Sequence, residues 1–281
     1  GFHSNLQFIY KMYKQEKKMK SIQSFKKLKL KNSKLTMITC YDYSFAKIIA
    51  DSNIDMVLVG DSAAMVMHGY KNTIPATIEM MEYHISSVSR GLNGKFLVGD
   101  MPFLEHRKDK KQTMNSIDIL MKAGANAIKI EGGRNHAEII KYIVDSGVPV
   151  MGHLGLTPQS VNALGGWKLQ GNSKIESERI YEDAMELEKS GAFAIVLEMI
   201  PQNLAKKITK NLKIPTIGIG AGSNTSGQVL VLQDLLGMSN QFNPSFARKY
   251  LNGYDLIRNA IDNFDNDVKK GSFPANREII K

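Results

Sequence analysis

The chain has 281 residues, 43% of them hydrophobic, with a single cysteine, Cys40; that is enough for one large domain with a buried core and too few thiols for a disulfide framework or a multi-thiolate zinc site. Its formal charge of +10 lies almost wholly in residues 1–34, where ten lysines face one acid, Glu16, so the rest of the chain is near neutral. No run of about 18 apolar residues occurs, which argues against a membrane-spanning helix, and no zinc-finger or RNA-binding signature points to nucleic acid.

Residues 1–34 read as a basic, flexible leader, with Met19 as a plausible internal start. The segment is acid-poor like an organellar presequence, yet it lacks arginine and a secretory apolar core. A cytoplasmic protein is the expectation, with a mitochondrial one as the alternative. From Leu35 a strand, a loop and an amphipathic helix repeat. The first strand is expected over 35–40 and its helix over 44–52, where Phe45, Ile48 and Ile49 share a face. The second strand covers 56–60, followed by a helix over 78–90 that Gly91 stops. The third strand covers 95–99, with a helix over 111–122.

The fourth strand is Ala127-Ile128-Lys129-Ile130-Glu131, ended by Gly132-Gly133. Its isoleucines alternate with Lys129 and Glu131, so the two charges share one face. A helix over 136–145 leads to a strand over 149–152, then to a glycine-rich loop over 155–173. A helix over 176–189, a strand over 193–197, a helix over 204–211 and a strand over 215–219 follow. The eighth strand, at 229–232, has the weakest pattern, and helices are expected over 245–250 and 254–269. Eight strands alternating with helices predict an α/β fold of the (β/α)8 TIM-barrel type. The chain is expected to be a single domain, with the leader at 1–34 and the catalytic barrel and its C-terminal helices at 35–281.

Asp61, Asp100, Glu131, His153 and Glu198 each fall at the C-terminal end of a different expected strand, and those ends converge on one face of a barrel. Carboxylates brought together repel unless a cation intervenes, and an all-oxygen set favours Mg2+ over zinc. Asp61, Asp100 and Glu131 are the expected metal ligands. Lys129 would stand beside the ion as a point charge for an anionic substrate. Glu198, reached through Ile195-Val196-Leu197, is the expected general base, and His153 could support it as a base or donor. Gly220-Ala221-Gly222 reads either as a phosphate cradle or as a close turn.

Six motifs are then specific together. Thr39-Cys40-Tyr41-Asp42-Tyr43-Ser44, Val59-Gly60-Asp61-Ser62, Gly99-Asp100-Met101-Pro102-Phe103, Lys129-Ile130-Glu131-Gly132-Gly133, Gly152-His153-Leu154-Gly155-Leu156-Thr157-Pro158-Gln159-Ser160 and Ile217-Gly218-Ile219-Gly220-Ala221-Gly222 closely resemble the ketopantoate hydroxymethyltransferase family. The resemblance implies a Mg2+-dependent barrel enzyme of pantothenate synthesis. Its reaction would move a one-carbon unit from 5,10-methylenetetrahydrofolate to 3-methyl-2-oxobutanoate, giving 2-dehydropantoate through an enolate. It also implies a metal site at Asp61, Asp100 and Glu131, substrate contacts at Asp61, Ser62, Asp100 and Lys129, and Glu198 as proton acceptor. A homo-oligomer, often a decamer, is implied as well, with small molecules rather than nucleic acid or membrane as partners. The sequence departs from the usual pattern at Ala64, Gly99 and Ser226. The alternatives are another Mg2+-dependent 2-oxo acid lyase or mutase on the same barrel, or a non-catalytic polyanion-binding protein that uses the basic arm.

Overall fold

A computed structural model describes residues 20–241 and 243–280, and within it the strands β1 (Leu35–Thr39), β2 (Met56–Val59), β3 (Phe96–Asp100), β4 (Ala127–Glu131), β5 (Val150–Gly155), β6 (Ala194–Glu198), β7 (Thr216–Ile219) and β8 (Gly227–Leu230) close into a barrel in sequence order. Each consecutive pair is parallel. The expected TIM barrel is present. Alternate residues point inward, and Leu35, Met37, Met56, Leu58, Phe96, Val98, Ala127, Met151, Val196 and Ile217 form one apolar cluster. Strands β2, β3 and β4 are buried along their whole length on both faces, as parallel strands flanked by helices require.

The helix α1 (Ile22–Leu30) adds Phe25 to that cluster. Phe25 is fully buried and meets Phe96 edge to face at a centroid distance of 5.2 Å, while Phe96 meets Phe193 at 5.7 Å. Lys29 on the same helix donates to the carbonyls of Thr209 (2.9 Å) and Ile214 (2.7 Å). Of the expected leader, residues 1–19 lie outside the described residues, and α1 belongs to the barrel's packing. Its lysines mask one buried aromatic and two other apolar residues, Ile22 and Leu28, which pack on the cluster.

The helices between strands are α2 (Tyr43–Asp51), α3 (Ala63–Val66), α4 (Ile78–Gly91), α5 (Lys110–Lys122), α6 (Ala137–Asp145), α7 (Val161–Leu164), α8 (Lys174–Lys189) and α9 (Gln202–Asn211). Side-chain caps fix several starts: Asp42 accepts from Phe45 N–H at 2.9 Å and Thr77 from Met80 N–H at 3.1 Å. α8 starts before the expected 176 because Ser173 and Glu176 make a capping box that places Glu176 in the first turn. β5 runs on past 152 because Leu154 and Gly155 pair with Leu197 and Glu198.

The described residues divide into two compact units, the barrel through Val229 and the segment from Leu230 on. The second holds α10 (Leu232–Leu235) and α11 (Gly253–Lys269). The helix expected over 245–250 is absent. There, Asn243 Nδ2 donates to the Ala247 carbonyl and Tyr250 N–H to the Leu235 carbonyl, both at 2.8 Å, so the groups a helix would pair internally are used elsewhere. Among the described residues no helix is long and apolar enough to cross a membrane.

Two predictions follow from the packing. Phe25→Ala should cost about 3–5 kcal/mol of unfolding free energy in denaturant titration, the usual range for emptying a buried phenylalanine site; a loss under about 1 kcal/mol would show that α1 is dispensable. His106 and His136 are both buried, with ring centroids 4.5 Å apart, and burial pulls their pKa values down to about 3 and about 4. The unfolded chain takes up their protons near pH 6.5 and the folded one does not, so their contribution is full above that pH and is lost as pH falls toward 4. The double variant His106→Met/His136→Leu should show a shallower decline in thermal stability between pH 6.5 and 4.5; an unchanged slope would remove these rings from the cause.

Candidate functional site

Parallel register brings the expected residues together at the C-terminal ends of the strands. It pairs Asp100 with Lys129 and Glu131 with His153, while Glu198 closes β6 opposite Gly155. Asp61 follows β2 by two residues, where its backbone N–H donates to Asp100 Oδ2 at 2.9 Å. Lys129 Nζ lies 2.8 Å from Asp100 Oδ1 and 3.1 Å from His153 Nδ1. His153 Nδ1 stands 3.4 Å from Glu131 Oε1, and its Nε2 lies 3.0 Å from Glu198 Oε2. One polar string thus runs from Asp61 to Glu198 across five strands.

The string is buried, and that governs its charges. Asp61, Asp100, Lys129, Glu131 and His153 are each at most 5% exposed. Burial and the neighbouring carboxylates of Asp100 and Glu131 hold the Asp61 carboxyl well above the usual range. Burial also raises Asp100, with Lys129 acting against it. Glu131 would be raised by burial too, but the hydrogen bond and charge of His153 carry it below its ordinary value. Burial opposes the Lys129 charge, yet Asp100, Glu131 and Asp61 together lift its pKa above the ordinary value and keep it cationic.

Burial and Lys129 disfavour a proton on His153, but its hydrogen bonds to Glu131 and Glu198 outweigh them and push its pKa up to about 9. Protonated, the ring donates to both glutamates. Neutral, its Nδ1 accepts from Lys129 while Nε2–H stays on Glu198. In both arrangements Nε2 donates to Glu198. His153, a supporting residue in the sequence reading, joins the lysine to the expected base.

Glu198 sits differently from the expectation. The run Ile195-Val196-Leu197 suggests an apolar pocket, but Val196 belongs to the inner cluster two residues deeper, and the Glu198 side chain is 15% exposed. It stands at the barrel mouth. Gly220 and Gly222 have positive φ (59° and 77°), and an added Cβ at 222 would fall 2.7 Å from Gln202 side-chain atoms, which accounts for them as a close turn.

Two further residues belong to the site although no role was read for them in the sequence. Gln159 donates from Nε2 to Asp61 Oδ2 (2.8 Å) and to the Met101 carbonyl (2.9 Å), and from its backbone N–H to Glu131 Oε2 (3.0 Å). Tyr41 OH shares a 2.6 Å hydrogen bond with Ser62 Oγ, and burial raises its pKa to about 12. Both lie inside motifs quoted above, but contacts between a loop and distant strand ends have no periodic signature. Of the three departures, Ala64 is buried in α3, and Gly99 leaves room for Ile85, whose Cδ1 would lie 2.6 Å from an added Cβ. Ser226 exchanges hydrogen bonds of 3.1 Å with Thr216 just before β8, at the opposite end of the barrel from the site.

The expected ion can be tested against these groups. Among the described residues, no three His, Cys, Asp or Glu side chains close around a common point. Lys129 Nζ and Gln159 Nε2 stand against the carboxylates instead. The donor set nevertheless fits a hard cation: Asp61, Asp100, Glu131 and Glu198 outnumber Lys129 and His153, Glu131 Oε1 is buried with only the long 3.4 Å contact to His153 Nδ1, and the ligands are all oxygen. Asp61, Asp100 and Glu131 would hold the ion, with water completing its shell.

The 3-methyl-2-oxobutanoate hydroxymethyltransferase of Coxiella burnetii (strain CbuK_Q154) is 54% identical over 251 residues, covering 89% of this chain and 94% of that one. The enzyme of the same name from Bdellovibrio bacteriovorus is 50% identical over 260 residues, covering 92% and 99%. Among solved structures, a phosphoenolpyruvate phosphomutase from Streptomyces platensis subsp. rosaceus superposes with a TM-score of 0.60 at 12% identity, covering 90% of this chain and 88% of that one. A phosphonopyruvate hydrolase in complex with oxalate and Mg++ gives 0.59 at 11%, covering 92% and 93%. These two likenesses speak for the barrel alone. The family model of ketopantoate hydroxymethyltransferase matches residues 19–276, and with relatives of that name at half identity or more, the chain belongs to the ketopantoate hydroxymethyltransferase family.

Proposed function

We propose that this hydroxymethyltransferase joins the one-carbon unit of 5,10-methylenetetrahydrofolate and a water molecule to C3 of 3-methyl-2-oxobutanoate, giving 2-dehydropantoate and tetrahydrofolate. One observation carries the reading: Lys129 Nζ, 2.8 Å from Asp100, and Glu198 Oε2 flank the two nitrogens of His153 at 3.1 and 3.0 Å, which puts a buried cation and a proton acceptor on the two sides of one imidazole. Removing a proton beside a carbonyl needs that pair of groups, a base at carbon and positive charge at the oxygen that becomes anionic.

Lys129 is kept charged by three carboxylates and presents its ammonium to the 2-oxo acid. Ser62, fixed by Tyr41, offers a hydroxyl beside Asp61 for the substrate carboxylate. Glu198 accepts the C3 proton. The His153 hydrogen bond holds one of its oxygens, which orients the carboxylate, and the neighbouring Lys129 charge stabilises the negative charge that builds up on the substrate oxygen. Asp61, Asp100 and Glu131 would hold a magnesium ion, which would supply Lewis acidity at the keto oxygen. C3 then forms a bond to the folate methylene carbon as one of that carbon's two bonds to folate nitrogen breaks, and water supplies the hydroxyl as the second breaks; the two nitrogens take up the proton accepted by Glu198 and the proton released by water. The loop after β5 would border the folate cleft. Cytoplasmic residence and a homo-oligomeric assembly are part of the same reading.

Glu198→Gln is expected to keep 2-oxo acid binding in calorimetry while turnover falls by about 10²–10⁴, the usual share of a positioned base. Asp100→Ala should lose Mg2+-dependent binding as well, because it removes both a proposed ligand and the Lys129 partner. Equal loss of binding in the two variants would contradict this division of roles.

A further inference from the structure

Asp61 and Asp100 are 3% exposed and Glu131 5%, so neither an ion nor a keto acid reaches them from solvent in the arrangement seen here. One residue of the loop after β5 holds two of them. Gln159, itself buried, sits in the short 3-10 turn Pro158–Ser160 that precedes α7. It occupies one oxygen of Asp61 with its side-chain amide and one oxygen of Glu131 with its backbone N–H. An amide satisfies these oxygens without supplying charge. An ion arriving at Asp61 competes directly with Gln159.

The segment bearing Gln159 is jointed at both ends. Gly155 precedes it with φ 93°, where an added Cβ would fall 2.1 Å from the Glu198 carbonyl oxygen, and Gly165 and Gly166 follow it with φ 72° and 105°. Such positions absorb backbone rotation that other residues resist. Trp167, the single tryptophan of the chain, lies just beyond the second joint and is 52% exposed.

We propose that Gln159 is a latch over the carboxylate set. Without the ion it closes the barrel mouth by donating to Asp61; a divalent cation on those carboxylates displaces its side chain, and the segment between the glycine joints shifts to admit the 2-oxo acid. Gln159 is thus a positioning residue. The inference rests on the reading of Asp61, Asp100 and Glu131 as the metal set.

The test uses Mn2+ as the probe on the full chain, with free Mn2+ counted by electron paramagnetic resonance and Trp167 emission followed in the same titration. The wild type should bind Mn2+ with an emission change that tracks occupancy. Gln159→Met keeps the volume and removes the competing donor, so it should bind Mn2+ about tenfold tighter, the scale of one hydrogen bond to a charged group, and should lose most of the emission change. Gln159→Ala should do the same if the methionine variant fails to fold by near-ultraviolet circular dichroism. Wild-type binding with silent Trp167, or variants that bind Mn2+ no more tightly than wild type, would overturn the latch and leave the metal reading standing. No Mn2+ binding by folded wild type would overturn the metal reading and the latch with it.

Discussion

The ion pair between Lys129 and Asp100 is the interaction on which the site depends. Both side chains are buried in the barrel mouth, 2.8 Å apart, where an isolated charge would be driven to neutralise. Removing one partner of such a pair leaves the other uncompensated, at a cost of about 3–5 kcal/mol in comparable cases. Lys129 is held charged because Asp61 and Glu131 add to Asp100, and the same crowding leaves Asp61 short of a counter-charge. A site assembled this way is biased toward a cation, and that bias is the physical basis of the proposed metal-assisted reaction on an anionic substrate.

The barrel makes that crowding tolerable by separating two environments along the same strands. Ala127, Met151 and Val196 fill the lower interior, sealed by Phe25, while Lys129, Glu131, His153 and Glu198 stand above them at the strand ends. On β4 the change from alanine to lysine to glutamate along one face marks the boundary. Every strand from β3 to β6 contributes one or two groups, and the closed parallel register fixes their distances.

Much of this was legible in the chain. Period-two alternation on β4 located Lys129 and Glu131 on the inner face, and the strand-end position of Asp61, Asp100, His153 and Glu198 foretold their convergence, because both follow from local spacing and one topological rule. The rest was not local. α1 was hidden because Lys26, Lys27 and Lys29 interrupt its apolar residues within a lysine-rich segment, and only the tertiary position of Phe25 reveals its purpose. Gln159 was hidden because its partners, Asp61, Met101 and Glu131, lie at or just past the ends of three separate strands, and a loop residue carries no periodicity to say where it points. The place of Glu198 at the barrel mouth was not legible from three apolar neighbours, since alternate strand residues face opposite sides and say little about the one that ends the strand.

The central claim is that Glu198 and the charges around Lys129 remove the C3 proton of 3-methyl-2-oxobutanoate before any carbon is transferred. Exchange of that proton into D2O, followed by NMR without folate, with Mg2+ and again with EDTA, addresses it directly. Exchange that requires both the protein and Mg2+ is the predicted result. Folded, metal-loaded protein that exchanges no proton, and forms no product when methylenetetrahydrofolate is supplied, would contradict the account.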